Sequence, residues 1–235
     1  MQYKKILVVI PAFNEARSIR FLIREIKSIE PNLSIVVVDD GSSDDTRKEA
    51  EEAGACVVSL PYNLGIGGAV QTGIKIADEE DFDIVVQMDG DAQHDPASLN
   101  DLLKPILADE LDLVIGSRFL DPNSVFQSTR LRRVGIRFFA LLLRCLTGMQ
   151  LTDPTSGYRA INKKLIHEFA TYYPTDFPEP EAIKLAKRFG ARIGEVPVRM
   201  RKRLGGISSI RYAKPIYYMI KVTFAILIDA LRSKK

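Results

Sequence analysis

Short apolar runs that break off at Pro, Asp or Gly recur along the first half of the chain, with helical spacing between them. Ile6 to Ile10 is one such run, ended by Pro11, and Ile35 to Val38 is another, ended by Asp39-Asp40-Gly41. Runs without polar alternation predict strands buried on both faces, as in parallel sheets. Between them, Ala16 to Ile29 carries Ile19, Leu22, Ile23 and Ile26 on one helical face, so the chain opens strand, helix, strand. A helix over Thr46 to Ala53, a strand over Cys56 to Leu60, a helix over Gly67 to Asp78 and a strand over Ile84 to Met88 continue the pattern. This alternation predicts an α/β fold with a doubly wound, Rossmann-like, mostly parallel sheet flanked by helices. Its ligand belongs in the crevice at the carboxyl ends of the strands.

The second half is less regular. After Asp112-Leu113-Val114-Ile115-Gly116 the composition changes, and Arg130 to Leu146 predicts an apolar helix with Arg130, Arg133, Arg137 and Arg144 on one face. A further helix begins near Pro180, a strand covers Ala191 to Pro197, and Tyr212 to Leu231 forms a last apolar helix interrupted by Lys214, Lys221 and Asp229. Without repeats or linkers, the chain divides into one α/β domain over 1–211 and an apolar, basic appendage over 212–235. The run Val222 to Ile228 is too short to cross a hydrocarbon layer of roughly 30 Å. With Tyr212, Tyr217 and Tyr218 at one end and Arg232, Lys234 and Lys235 at the other, this helix suits a headgroup boundary. Peripheral membrane contact is therefore expected, the arginine stripe facing anionic lipid. Mutual packing of the two helices, or an oligomer contact, is the alternative, and a small membrane-protein partner is compatible with either.

Composition narrows the field. The 33 Lys+Arg against 30 Asp+Glu leave a net charge of +3, which excludes a nucleic-acid binder held by phosphate contacts over its whole surface. Cys56 and Cys145 lack metal-ligand spacing and are expected to be small buried apolar residues in a reducing compartment. Too few apolar residues precede Pro11 for a signal peptide, so the expected location is cytoplasmic, at the cytoplasmic face of the membrane.

Candidate chemistry gathers at the strand ends. In Val85-Val86-Gln87-Met88-Asp89-Gly90-Asp91-Ala92-Gln93-His94 a buried strand runs into acidic residues. If extended geometry persists, the side chains of 89, 91 and 93 point one way, and two carboxylates with one amide oxygen suit Mg²⁺ or Mn²⁺. A solvated acidic turn is the plainer alternative. Asp39 and Asp40 follow a second strand, where a carboxylate can accept from a nucleobase or ribose, while Ser43 or Asp44 suffices to cap the next helix. Pro11-Ala12-Phe13-Asn14-Glu15 adds an aromatic face and a carboxylate at the same edge. The Gly65-Ile66-Gly67-Gly68 turn has Val70 where a dinucleotide fingerprint needs Gly or Ala, and reads as a helix start with a tight approach. His94 fits a group behind the metal, and His167 a surface position.

Six segments in register resemble the family 2 glycosyltransferases of GT-A fold, above all the polyprenyl-phosphate sugar synthases of the dolichyl-phosphate mannose synthase type. They are Pro11 to Glu15, Val38 to Ser42, Asn63 to Ala69, Met88 to His94, Gly116-Ser117-Arg118 and Asp153-Pro154-Thr155-Ser156-Gly157-Tyr158-Arg159. The resemblance implies a GT-A domain over 1–211 and inverting transfer from a UDP- or GDP-sugar to a polyprenyl phosphate. It places Pro11, Phe13, Glu15, Val38, Asp39 and Asp40 around the nucleoside. Asp89, Gly90, Asp91 and Gln93 fall around the diphosphate and its Mg²⁺ or Mn²⁺, Asp91 and Arg118 act in catalysis, and Arg118, Arg159 and Arg203 hold the acceptor phosphate.

Two departures stand out. Arg203-Leu204-Gly205-Gly206-Ile207-Ser208-Ser209 lacks the lysine of the synthases' Gly-x-Ser-Lys pattern, leaving Arg201, Lys202, Arg203 and Arg211 to supply charge. Phe177-Pro178-Glu179-Pro180-Glu181 differs from the mannose enzyme and leaves the sugar open. Arg159 and Arg203 are expected in loops, with a solvated surface position as the alternative for Arg159. A phosphate acceptor attacks without a base; a saccharide hydroxyl acceptor would need one, from Glu179, Glu181 or Asp176. A non-catalytic nucleotide-sugar-binding module is the remaining alternative.

Overall fold

The structure, a computed structural model, describes residues 4–120, 130–175, 178–202, 219 and 221–224. In chain order the elements are β1 (Ile6–Ala12), α1 (Ile19–Ile29), β2 (Ser34–Asp39), α2 (Thr46–Glu52), β3 (Cys56–Ser59), α3 (Ile66–Glu79) and β4 (Ile84–Gln87). They continue as α4 (Leu99–Leu107), β5 (Leu113–Ser117), α5 (Arg130–Thr147), β6 (Arg159–Asn162), α6 (Lys163–Thr171), α7 (Pro178–Arg188) and β7 (Ile193–Pro197).

One seven-stranded sheet takes the order β3-β2-β1-β4-β6-β5-β7. All neighbours run parallel except β6, which is antiparallel to both β4 and β5. The continuous apolar runs have the consequence expected of them, because alternate residues feed two cores. Val8, Ile10, Val37 and Val86 pack with Ile19, Leu22, Ile23 and Ile26 of α1 and Leu99 and Leu102 of α4 on one face. On the other, Leu7, Val9, Val36 and Val85 pack with Val70 and Ile74 of α3 and with α6 and α7. Each fully buried Ile or Leu contributes about 1.5–3 kcal/mol.

Several boundaries differ from the pattern. β1 runs through Pro11 to Ala12, whose carbonyl accepts from Asp40 N. α1 starts at Ile19 rather than Ala16, because Ser18 turns its hydroxyl to the Gly90 carbonyl, 2.8 Å away. The short β6 and α6 have no counterpart in the predicted pattern. β6 matters most for the site: being antiparallel, it brings its first residue, Arg159, level with Gln87 at the end of β4 and with Ile115 of β5. The segment leading into β6 is thereby delivered to the carboxyl edge of the parallel strands.

Both cysteines are exposed, against expectation: Cys56 begins an outermost strand and Cys145 lies on the outer side of α5. That outer side also exposes Arg133, Val134, Arg137, Phe138, Leu141 and Arg144, while Ile136, Phe139 and Leu143 are buried. The Arg130 side chain, Arg203, Arg211 and most of the 212–235 appendage lie outside the described residues. Residues 221–224 are helical, with Val222 buried and Phe224 exposed. Among the described residues no helix is long and apolar enough to cross a membrane.

Candidate active site

The ends of β1, β2 and β4 meet at one rim. At β2, Asp39 and Asp40 are both buried. Asp39 Oδ1 accepts from Ser42 N at 3.0 Å and its Oδ2 from the Ser59 hydroxyl at 3.2 Å. Asp40 accepts from Leu64 N at 2.7 Å and Gly65 N at 3.0 Å, so it shapes the turn before α3. Burial pushes the Asp40 carboxyl above its ordinary range, the two amides pull it back, and the neighbouring Asp39 charge adds a smaller upward push. Val38 and Pro11 are buried, and Phe13 is about half exposed beside Asn14. Asn14 is tied in turn to the 42–43 turn through Ser42 Oγ and Ser43 N. Gly67 does permit a tight approach, but to protein: a Cβ there would lie 2.1 Å from the Thr175 carbonyl oxygen.

The acidic loop after β4 is not extended. β4 ends at Gln87, residues 90–91 turn, and Ala92 has φ 58, a left-handed conformation rare outside glycine. Strand periodicity therefore does not align residues 89, 91 and 93, because the turn intervenes. Asp91 is buried and its Oδ1 accepts from Gln93 N at 2.9 Å. The Asp89 side chain is 37% exposed. His94, buried and stacked on Tyr158 at 4.8 Å, accepts from Asp89 N at 3.1 Å through Nδ1, and its Nε2 lies 3.8 Å from Asp89 Oδ2. It holds the Asp89 backbone. His167 is on the surface beside Asp78, as expected.

The carboxylates of Asp89 and Asp91 and the Gln93 amide are hard oxygen donors of a kind suited to Mg²⁺ or Mn²⁺. Among the described residues no cluster of three His, Cys, Asp or Glu is arranged to enclose an ion. A shell completed by water and phosphate needs no such cluster.

Across the rim the charges reverse. Arg118, at the end of β5, is only 3% exposed and forms a bidentate pair with Asp153, itself fully buried, at 2.5 Å through both Nε and Nη2. Asp153 is placed in turn by Glu195 of β7, which accepts from Asp153 N at 2.7 Å and from Thr152 N at 2.7 Å. Burial raises the Glu195 carboxyl above its ordinary value. Arg159 is neither in a loop nor on the surface. It opens β6, is buried, and donates to the carbonyls of Ser156, Glu179 and Pro154 at 2.7, 2.8 and 2.9 Å. Arg201 bridges Glu25 and Asp95, so its charge is already matched, and its N–H pins the chain to the Gln93 carbonyl. Glu179, in the first turn of α7, lies near Arg159 and Asp89; burial raises its carboxyl above the ordinary value, Arg159 pulls it back, and the Asp89 charge adds a smaller upward push. Arg203 and Asp176 lie outside the described residues.

Asp153 falls inside a segment singled out from the sequence, whereas Glu195 carries no local signal. Gln87 did carry one, as a polar residue within an apolar run.

A mostly parallel sheet with carboxylates at its carboxyl edge and an antiparallel strand inserted beside them defines a GT-A-like domain. The chain belongs to the glycosyl transferase family 2, whose profile matches residues 7–169, and it is a glycosyltransferase. It is 31% identical over 218 residues to the UDP-N-acetylglucosamine–dolichyl-phosphate N-acetylglucosaminyltransferase of Methanococcus voltae, covering 85% of this chain and 86% of that one. To the undecaprenyl-phosphate mannosyltransferase of Micrococcus luteus it is 30% identical over 219 residues, covering 88% and 87%. Glucosyl-3-phosphoglycerate synthase of Mycobacterium tuberculosis, solved with Mg²⁺ and UDP, superposes with a TM-score of 0.73 at 26% identity, over 97% of this chain and 79% of that one.

Proposed function

We propose that this glycosyltransferase moves a sugar from a UDP- or GDP-sugar to a polyprenyl phosphate at the cytoplasmic face of a membrane, with inversion at the anomeric carbon. One observation carries the reading: half-exposed Asp89 and buried Asp91 share a sheet edge with two buried guanidinium groups, Arg118 and Arg159. The relatives named above, which use dolichyl and undecaprenyl phosphates, support the choice of acceptor.

In this reading Pro11, Phe13, Glu15, Val38, Asp39 and Asp40 form the nucleoside end. Buried Val38 contributes there through its backbone, and Asp40 through the turn it holds. Asp89, Gly90, Asp91 and Gln93 receive the diphosphate, and a bound Mg²⁺ or Mn²⁺ would offset the charge that develops on it as the leaving group. The acceptor phosphate is already anionic at neutral pH and needs orientation rather than a base. Arg159 supplies positive charge that is fixed before substrate arrives, because neutral main-chain carbonyls hold it, whereas the Arg118 charge is matched by Asp153, which fixes its position. Arg203 is assigned the third contact. The exposed arginines and apolar residues of α5 are assigned to anionic lipid, alone or with a small membrane-protein partner.

A second reading, transfer to a saccharide hydroxyl, is favoured by Glu179, whose raised carboxyl beside Asp89 suits a general base. Incubation with labelled nucleotide sugars and membrane lipid extract separates the two. A lipid-soluble, acid-labile product is expected; label confined to saccharide, and lost in Glu179→Gln, would overturn the lipid acceptor.

A further inference from the structure

Gln87 is the last residue of β4, two positions before Asp89, and its side chain is 95% buried, being 5% exposed. Its Nε2 is the one buried side-chain nitrogen or oxygen among the described residues with no hydrogen-bond partner. A buried donor that meets no protein acceptor is destabilising where it stands. It lines a small internal cavity with Arg159, Tyr173, Val85 and Phe169, beneath the rim that bears Asp89. The polar neighbours of that cavity point to what the donor is for.

Gly157 locates it. A Cβ placed on Gly157 would stand 3.0 Å from Asp89 Oδ1, 3.2 Å from Asp89 Oδ2 and 3.2 Å from Gln87 Nε2. The amide and the carboxylate thus flank one point, and only a residue without a side chain leaves the space between them open. Arg159, opposite Gln87 in the β4–β6 register, is committed to three main-chain carbonyls and does not itself compete with the amide for the carboxylate.

We propose that Gln87 is a positioning residue for Asp89: its side-chain amide donates to the Asp89 carboxylate when that carboxylate takes up a divalent ion with the donor diphosphate, through the gap Gly157 keeps clear. This rests on the assignment of Asp89 to the ion. A donor behind a ligating carboxylate fixes its orientation, and removing such a partner typically lowers metal affinity about 10–100-fold. Holding an unpaired donor in reserve raises the energy of the ion-free protein and makes the bound state the one in which every group is satisfied.

Gln87→Met tests this because it preserves length and apolar bulk while deleting the donor. Thermal unfolding of the ion-free variant is expected at a temperature equal to or above that of the unaltered protein. Calorimetric titration with UDP and with GDP, each with and without Mn²⁺, is expected to show Mn²⁺-dependent affinity lowered about 10–100-fold while affinity without Mn²⁺ is unchanged. A merely structural glutamine would lower the unfolding temperature and leave the Mn²⁺-dependent part alone; either result overturns the proposal. Asp89→Asn separates the two levels. If it abolishes the Mn²⁺ dependence while Gln87→Met does not weaken it, the role of Gln87 is wrong and the ion site stands. If Asp89→Asn leaves the Mn²⁺ dependence intact, the ion assignment itself fails.

Discussion

At the end of β2 the carboxylates of Asp39 and Asp40 are held by amide N–H groups of Ser42, Leu64 and Gly65. At the ends of β5 and β6 the guanidinium groups of Arg118 and Arg159 are held instead by a carboxylate and by main-chain carbonyls. The same sheet edge thus carries a negative lobe whose carboxylates are held mainly by backbone amides and a lobe of guanidinium groups, one held by a carboxylate and the other by carbonyls. In the proposed function the nucleoside takes the negative lobe, its cation-bridged diphosphate lies at neighbouring Asp89 and Asp91, and the anionic acceptor takes the guanidinium lobe. The contrast also explains which lobe is the more fragile. A turn that loses one acceptor can turn to water, whereas a buried guanidinium that loses its carboxylate keeps its charge.

The largest effect is therefore expected in the guanidinium lobe. Asp153→Ala should lower stability by about 3–5 kcal/mol in urea unfolding, by stranding the Arg118 charge. The paired change Arg118→Met with Asp153→Leu should restore most of that stability without restoring transfer, which would separate the fold of this lobe from its chemistry. In the negative lobe Asp40→Ala should lose less, about 1–3 kcal/mol, for the Leu64 amide left without an acceptor, since Gly65 N keeps Asn63 Oδ1 at 3.1 Å. Equal losses in the two variants would erase the contrast.

Weaker again is the outer side of α5. Replacing Arg133, Arg137 or Arg144 by Ala should reduce partitioning onto phosphatidylserine vesicles by about 1 kcal/mol each at low salt, with no change on neutral vesicles. Loss on neutral vesicles alone would make the contact apolar rather than electrostatic. Smallest is a pH effect at Glu179, whose carboxyl in the folded protein is raised above its ordinary value of 4.5, chiefly by burial. Between those two values the folded state holds more protons than the unfolded one, so stability falls as pH rises through that window. Glu179→Gln should flatten that fall in urea midpoints measured upward from pH 4; an unchanged slope would show that Glu179 does not couple to folding.

The same contrast governs how much was legible from sequence. β1 to β4 announce themselves as continuous apolar runs, and the acidic residues mark the rim because they directly follow those runs in the chain. β6 has only four residues, two of them Arg159 and Asn162, and its place depends on pairing with β4 and β5 rather than on periodicity. Glu195 clamps residues 42 and 43 positions away in the chain, which no local pattern encodes. The geometry of the acidic loop is hidden as well: extended backbone does not persist past Gln87, because Ala92 takes a left-handed conformation that hydrophobic patterning does not reveal.

Anomalous scattering from crystals grown with Mn²⁺ and UDP or GDP tests the central claim most directly. A manganese peak about 2.0–2.2 Å from carboxylate oxygens of Asp89 and Asp91, with the diphosphate completing its shell, is the predicted result. A well-ordered nucleotide whose diphosphate lies away from both carboxylates, with no manganese between them, would contradict it.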